Sequence, residues 1–566
     1  MFLEWGGLYM LLKGAQVFIE CLREQNVDVI FGYPGGAVLP IYDALYGVED
    51  ITHILTAHEQ GATHAADGYS RVSDKVGVVL VTSGPGATNT VTGIATAYAD
   101  SVPMVVFTGQ VPTELIGKDS FQEVDIIKIT DAITKKNYLV LDVKELAGTI
   151  RKAFKLAKFG RPGPVLIDIP KDIQNALVEY EYMDILEEET VNDELSIAEA
   201  YSSDIDTVIK AINSSKKPVI YAGGGIIISG AEQELKAFSE KIKAPVTCSL
   251  MGIGAFPGDD PYYMGMVGMH GSKCSNLAVS RCDLLIAIGA RFSDRVVSEV
   301  KSFAGNAHIL HIDIDFKELG KNVQLEYSLC GDCKNVLKYL IENVEEKKEG
   351  SWNKEITENK IQHPLRTSSL GELGPAVLLG KLNEIFKDEC IITTEVGQNQ
   401  IWTAQYYKFT KIRTFISSGG LGTMGYGLGA AIGASFANPK LRVINIAGDG
   451  SFKMNSTELA TIAKYKLPII QLVLNNHVLG MVRQWQNLFY QGRYSQTTLG
   501  PDVDFMKLAQ AYGIKALKIT KNEEIEDVLM EAKAYNGPVV IECEIHPDEK
   551  IYPIVPPGAP ITEAIE

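Results

Sequence analysis

The sequence has no apolar run near the roughly 18–20 residues that a membrane span requires, so nothing in its 566 residues reads as a transmembrane helix. It has no excess of base. Against 70 Asp and Glu stand 53 Lys and Arg, a formal net charge of −17, which argues against nucleic acid as a default partner. Small anionic substrates are not excluded, because they respond to local fields. The opening MFLEWGGLYMLLKGAQ is apolar but lacks a basic leading segment and a small-residue cleavage site, so it does not read as a signal peptide. Cysteine is sparse and scattered, eight in all, the pattern of reduced cytoplasmic thiols. The one CxxC, Cys330 to Cys333, has no second pair at the spacing of a zinc site. No short-period repeat is visible. What remains is an ordinary globular composition, 46% hydrophobic and 22% charged, on a chain that is too long for one core and suggests about three domains.

Short apolar runs ending in turn residues alternate with helical patterns along most of that length. In the first unit, residues 10–175, the runs DVIFGYPG, HILTAH, VGVVLVTSGPG, PMVVFTG and PVLIDIP read as buried parallel strands. The acidic EYEYMDILEEETVNDE then reads as a solvated linker. A second unit, 195–345, contains KPVIYAGGGI, APVTCSLMGIG, DLLIAIGARFSDR and HILHIDID, again strands with turn residues at their carboxyl ends. The charged ENVEEKKEGSWNKEITENK reads as an exposed connection to a third unit, 371–547. A tail, 548–566, is too rich in proline for a helix or a central strand. The fold class is therefore α/β, with three doubly wound parallel-sheet domains.

The third unit carries the most specific local pattern. RVINIA and PIIQLVL read as buried strands, and MNSTELATIAKY between them as a helix, with Asn455 and Glu458 placed as a capping box. Strand, helix and strand of this length form a right-handed crossover with parallel strands. Asp449, between Gly448 and Gly450, then lies just past one strand and Asn476, 27 positions on, just past the next, at the edge where open α/β sheets bind ligands. A carboxylate, a carboxamide oxygen and a nearby backbone carbonyl are hard oxygen donors suited to Mg2+ shared with phosphate. The flanking glycines let the backbone approach a bulky anion. Alone, GDG and Asn-Asn are ordinary turns; it is their joint spacing that points to a metal-bound diphosphate.

GDG, about thirty residues, then NN resembles the fingerprint of thiamine diphosphate enzymes. The resemblance implies that Asp449, Asn476 and the backbone carbonyl of Val478 hold Mg2+ against the cofactor's diphosphate, with Gly448, Gly450, Ser451, Gly480 and Met481 as neighbouring cofactor contacts. It extends from about Met10, itself a possible start in place of Met1, to the tail. FGYPGGAVLPIYDAL, VTSGPGATN, FTGQVPTELIGKDSFQE, HEQGATHAADGYSR, GRPGPVLIDIPKD, GMHG, GARFSDRV, GGLGTMGYGLGAAIGA and GMVRQWQNLFYQGRYS are all similar, in order, to segments of acetolactate synthase (acetohydroxyacid synthase) catalytic large subunits.

What that resemblance implies is a carboligase. Pyruvate is decarboxylated on thiamine diphosphate, and the hydroxyethyl enamine condenses with pyruvate or 2-oxobutyrate. The products, 2-acetolactate or 2-aceto-2-hydroxybutyrate, begin valine, leucine and isoleucine biosynthesis. Glu59, just past a strand, could simply be an acid favoured by a helix N-terminus; by resemblance it is the carboxyl group bonded to the pyrimidine ring nitrogen that promotes the imino tautomer, its pKa helped upward by partly apolar surroundings. Neighbouring His58 and His64 read as packing or polar-network residues. Met424, otherwise a core methionine, becomes the wedge that bends the cofactor. Val396, Gly397 and Gln398 become further cofactor contacts. Gln122 would line the reaction centre beside Gly36, Trp485 would shape the acceptor pocket, and Lys171 and Phe121 would border the channel.

The second unit resembles the family's FAD-binding domain, in which the flavin is structural because the net reaction moves no electrons. YAGGGI places Gly223, Gly224 and Gly225 after a strand but lacks a full GxGxxG. Gly289, Arg291, Arg295 and Val296 in GARFSDRV, with Arg161, Ser249, Leu250, Met266, His270, Asp313 and Asp332, resemble flavin contacts; arginines pair readily with diphosphate oxygens. Ser293 stands where the family usually has an acidic residue, and PPGAPITEAIE departs from its common tail. Rival readings are a pyruvate oxidase-like flavoenzyme, a flavin-free acetolactate synthase, which GARFSDRV disfavours, and a non-catalytic regulatory protein on the same fold. Glyoxylate carboligase is disfavoured by Glu59. The cofactor in this family lies between the first unit of one chain and the third of its mate, which implies a homodimer or homotetramer, with a small regulatory subunit as a further partner, in the cytoplasm.

Overall fold

A computed structural model describes residues 9–183 and 202–566. The opening residues 1–8 and most of the expected acidic linker, with the first residues of the expected second unit, lie outside the described residues.

Three six-stranded sheets are built, each wholly parallel. The first runs in the order Thr52–Leu55, Val29–Tyr33, Gly77–Val81, Met104–Gln110, Pro164–Pro170, Lys136–Leu139. Its three middle strands after Val29–Tyr33 are buried at every position, as continuous apolar runs covered on both faces must be. The second sheet is Tyr263–Met266, Val246–Cys248, Pro218–Ala222, Leu284–Ile288, His308–Asp313, Tyr327–Cys330, and the third is Phe415–Ile416, Cys390–Thr394, Arg442–Gly448, Ile469–Asn475, Val539–Glu544, Lys515–Ile519. A separate antiparallel pair, Tyr9–Lys13 with Leu177–Glu181, ties the two ends of the first unit. Among the described residues no helix is long and apolar enough to cross a membrane.

Six helices position the site and are labelled in chain order: α1 (Glu59–Ser73), α2 (Val91–Asp100), α3 (Gln398–Tyr406), α4 (Gly427–Ala437), α5 (Asp449–Asn455) and α6 (Gly480–Phe489). The first and third units share one apolar core, in which Phe31, Val79 and Ala65 meet Leu428, Ile432 and Val473. Its centre is the crossing of α1 and α4, close enough that a Cβ on Gly68 would stand 2.2 Å from the Ala430 carbonyl and one on Gly433 1.8 Å from that of Ala65. Another core joins the second and third units through residues such as Ile286, Leu337, Leu382 and Trp402.

Two local expectations need correction. No Asn455–Glu458 capping box forms. α5 starts directly at Asp449, a 3-10 turn covers Ser456–Glu458, and a separate helix follows at Leu459–Tyr465. The Glu458 carboxylate instead accepts the backbone N–H groups of Ala57 and His58 at 3.0–3.2 Å, while Asn455 donates to the Gly425 carbonyl. Secondly, the supposed exposed connection is a helix over Ser351–Gln362 with Trp352 and Ile356 buried; the Trp352 indole N–H donates to the Pro218 carbonyl. The tail forms neither helix nor strand, as its prolines led one to expect, and it packs inward: Ile551, Ile554 and Val555 are fully buried, Asn276 donates to the Ile561 carbonyl, and Lys273 pairs with Glu566.

Candidate functional site

Arg442–Gly448 and Ile469–Asn475 lie side by side, with Gly448 opposite Leu474. Asp449 and Asn476 therefore leave the sheet at one edge. Asp449 is 1% exposed, and neither carboxylate oxygen has a hydrogen-bond partner. Burial pushes its pKa up to about 6. A buried carboxylate left bare is costly unless a cation or proton meets it. Asn476 is also buried; its Nδ2 donates to Gln398 Oε1 at 3.1 Å, and its Oδ1 accepts the Val478 N–H at 3.2 Å. Val478 bridges Thr498 through its neighbours, as Leu479 N–H donates to the Thr497 carbonyl and Leu499 N–H to that of His477. That pattern leaves the Val478 carbonyl unused by the bridge. Among the described residues no cluster of three His, Cys, Asp or Glu side chains forms a metal site. The donors here are instead one carboxylate, one amide and one carbonyl, which suits a hard cation that keeps other oxygen ligands.

The residues around this edge pack closely on one another. Gly397, at φ +144°, caps α3 and Gln398 begins it. Gln398 also donates to the Glu549 carbonyl at 2.8 Å. A Cβ on Gly480 would stand 1.8 Å from Gln398 Oε1, so a larger residue there would displace the Gln398 amide. Ser451 Oγ donates to the Gly448 carbonyl at 3.1 Å. The Met424 methyl reaches within 3.9 Å of where a Cβ on Gly450 would be, which places that side chain over the Gly448–Gly450 turn.

Glu59 sits elsewhere, at the carboxyl edge of the first sheet. It is the first residue of α1, after His58, whose Nδ1 accepts the Gln60 N–H. Glu59 Oε2 accepts the Asn89 Nδ2–H at 2.9 Å. Thr82 links its neighbours: the Thr82 methyl lies against Gly86, itself beside Glu59 Oε1, and Thr82 Oγ1 accepts the Ala37 N–H next to Gly36. Gln122, at φ +59°, packs on Gly84. Gly36 is exposed with open space around it, and Phe121 is 88% exposed. Lys171 starts a short helix after Pro164–Pro170. His64 is fully buried against Tyr426 and neutral, burial pulling its pKa down to about 3.

A cavity of about 1160 Å3 opens between the second and third units. Gly224, Gly225, Ser249, Leu250, Met266, His270, Gly289, Arg291, Arg295, Val296, Asp313 and Asp332 line it, joined by Arg161 from the first unit and by Val396, Gly397, Met481 and Trp485 from the third. Gly223 does not reach it. Its N–H donates to the Ile288 carbonyl, and a Cβ there would collide with the Gly289 carbonyl. Gly225 likewise packs on Gly289, so these glycines serve backbone packing as well as the cavity wall. Burial pulls the His270 pKa down to about 4 and pushes that of Asp313 up to about 6. Arg295 lies over the Trp485 ring at 5.7 Å, and the indole N–H has no partner. Ser293 lines the wall, and its carbonyl accepts the Val296 and Val297 N–H groups. Glu59, Gln122, Gly36, Phe121 and Lys171 do not line this cavity. Sequence reasoning missed Asp100, Gln400 and the Ser418–Gly422 stretch, which do.

None of the eight cysteines, all of which lie among the described residues, is in a disulfide. The Cys333 thiol is buried at the cavity wall, its pKa raised by burial, which argues against a reactive CxxC.

Comparisons with known proteins cover nearly the whole chain. Residues 12–129 match the family model described as thiamine pyrophosphate enzyme, N-terminal TPP binding domain; residues 205–340 match its central domain, and 395–543 its C-terminal TPP binding domain. The chain is 48% identical over 565 residues to a probable acetolactate synthase large subunit of Methanocaldococcus jannaschii, covering 98% of this chain and 95% of that one. It is 44% identical over 558 residues to the acetolactate synthase isozyme 2 large subunit of Escherichia coli (strain K12), covering 98% and 100%. With the acetolactate synthase large subunit of Haemophilus influenzae the identity is 42% over 568 residues, covering 98% of each chain.

Proposed function

Because the chain belongs to the acetolactate synthase large subunits of the thiamine pyrophosphate enzyme family, we propose a division of labour among its residues. The chain is a thiamine pyrophosphate-dependent acetolactate synthase, which joins the two-carbon fragment of decarboxylated pyruvate to a second 2-keto acid, pyruvate or 2-oxobutyrate. Thiamine pyrophosphate (thiamine diphosphate) supplies the nucleophilic carbon and the electron sink.

The observation that carries the assignment is the bare, buried carboxylate of Asp449, at the same sheet edge as Asn476 and the Val478 carbonyl that the bridge to Thr498 does not use. These three would hold Mg2+, and the Gly448–Ser451 turn with Gly480 and Met481 would receive the diphosphate. Glu59, held by Asn89, would share a proton with the pyrimidine ring. Met424 would bend the cofactor, with Val396, Gly397 and Gln398 along it, and Gln122 and Gly36 would border the reacting carbon. Trp485 would shape the acceptor's place, and Lys171 and Phe121 the approach to it. The large cavity would take FAD, with Arg161, Arg291 and Arg295 facing its negative or carbonyl oxygens. The working divisions are 10–175, 195–345 and 371–547 with the tail 548–566.

The residues of Glu59's group lie outside the cavity that Val396, Met481 and Trp485 line. A site made by Glu59 of one copy and Asp449 of another accounts for that, and for the exposure of Phe121 and Gly36. A homodimer, alone or paired into a tetramer, is therefore the working unit. The relatives are named as large subunits, so a smaller regulatory partner belongs to the same proposal. The eight cysteines, none of them in a disulfide, suit a reducing cytoplasm.

Product analysis tests this reading. Pyruvate alone should give 2-acetolactate, and added 2-oxobutyrate should give 2-aceto-2-hydroxybutyrate, both dependent on thiamine pyrophosphate and Mg2+, while bound flavin stays oxidised. Acetyl products with flavin reduction would make it an oxidase instead.

A further inference from the structure

Met424 belongs to an irregular stretch, Ser417 to Tyr426, between the strand Phe415–Ile416 and α4. It holds two glycines at positive φ, Gly422 (+70°) and Gly425 (+90°). A segment without a ladder of its own must find partners for its backbone groups elsewhere. Here they come from two buried carboxylates, one at each end.

At the first end is Asp100, the last residue of α2 and 9% exposed. It accepts the N–H groups of Gly420 at 2.7 Å and Gly419 at 3.1 Å. Arg71 of α1 pairs with Asp100 at 3.0 Å and with Asp67 at 2.6 Å, and donates to the Ser417 carbonyl. The Tyr426 hydroxyl donates to Asp67, and the hydroxyls of Thr96 and Thr423 are 2.7 Å apart. All the first-unit groups in this set reach across to the third unit. At the other end is Glu395, fully buried at the carboxyl end of Cys390–Thr394. It accepts Gly425 N–H at 2.6 Å, Gly427 N–H at 2.9 Å and Leu428 N–H at 3.3 Å, at the N-terminus of α4. Charge-assisted bonds to several backbone donors are short and directional. Held at both ends, the segment has little freedom, and Met424 stands near its middle.

We infer that Asp100 and Glu395 are positioning residues, which anchor the two ends of the Ser417–Leu428 segment and so fix Met424 over the Gly448–Gly450 turn. The inference rests on the role given to Met424 in the preceding section. It adds that the wedge is set by the first unit of the same chain, whereas Glu59 would be supplied by another copy.

The test uses the full-length protein and the isosteric variants Asp100→Asn and Glu395→Gln. Gly420→Ala is a third probe, because its Cβ would stand 2.8 Å from Asp100 Oδ1 and 2.9 Å from the Ala99 carbonyl. Amide hydrogen exchange of residues 417–428 is measured on cofactor-free protein, where local opening is read directly; exchange should quicken about tenfold or more in each variant and stay unchanged in the central strands. The rate of thiazolium C2 deuteration in bound thiamine pyrophosphate should fall about tenfold or more, since displacements near 1 Å have effects of that size. Amide exchange unchanged in all three variants overturns the anchoring, as does C2 deuteration unchanged once the segment is loosened. Should one isostere open globally, Gly420→Ala, which keeps every charge, decides. If the unaltered protein binds no thiamine pyrophosphate, the functional reading falls, and amide exchange alone judges the anchoring.

Discussion

Asn476 donates its carboxamide N–H to Gln398 at 3.1 Å, and Gln398 in turn donates to the Glu549 carbonyl at 2.8 Å. The chain of donors fixes which end of the Asn476 amide is oxygen, and that oxygen accepts the Val478 N–H at 3.2 Å. Replacing Gln398 by Leu leaves that amide free to turn. The Mg2+ concentration for half-maximal activity should rise about 10–100-fold, the usual effect of losing a group that orients a metal ligand. Mg2+ titration at saturating thiamine pyrophosphate measures it.

Asp449 predicts a pH-dependent stability. Its folded pKa of about 6 lies above its ordinary value of 3.8, so the fold disfavours the ionised form. Below the lower value the group is protonated in both states and costs nothing; above the higher one the penalty is complete, about 3 kcal/mol at most. Asp449→Asn should therefore raise the melting temperature of cofactor-free protein by a few degrees at pH 7–8, the gain fading as pH falls from 6 towards 4. With Mg2+ and thiamine pyrophosphate in excess the order reverses, since only the unaltered protein gains stability from binding. Differential scanning calorimetry at several pH values reads both signs.

Glu59→Gln removes a proton-sharing carboxyl group but keeps the hydrogen bond with Asn89 within reach. Turnover should fall about 100-fold or more, with thiamine pyrophosphate affinity changed only a few-fold. Steady-state acetolactate production and a binding titration together separate the two effects.

The α1–α4 crossing tolerates no added carbon. Gly433→Ala would drive a Cβ into the Ala65 carbonyl, a backbone atom that cannot step aside. The variant should lose about 1–3 kcal/mol, the range for overpacked cores, seen as a lower midpoint in chemical denaturation.

The buried strands were legible because parallel sheets covered on both faces need unbroken apolar runs: VGVVLV, PMVVFTG and RVINIA all became strands. Lys136–Leu139 was not legible, since it is an edge strand with no fully buried position. Ser351–Gln362 was hidden by its charge, because only Trp352, Ile356 and Asn359 face inward. The shared sheet edge of Asp449 and Asn476 was legible because one crossover fixes their relation. Asp100 and Glu395 were not: their partners lie 320 and 30 positions away, and only the finished fold brings an acid at the end of α2 to the backbone of Gly420. Glu458 misled for the same reason. Its spacing from Asn455 suits a helix cap, but the start of α1 claims its carboxylate from 400 positions away.

The most direct test of a site divided between two copies is complementation. Glu59→Gln and Asp449→Asn chains, each inactive alone, are co-expressed with different tags, and the mixed dimer is isolated. One of its two sites then has both Glu59 and Asp449 intact, so about half the acetolactate activity of the unaltered dimer should return. A mixed dimer as inactive as its parents would contradict the account.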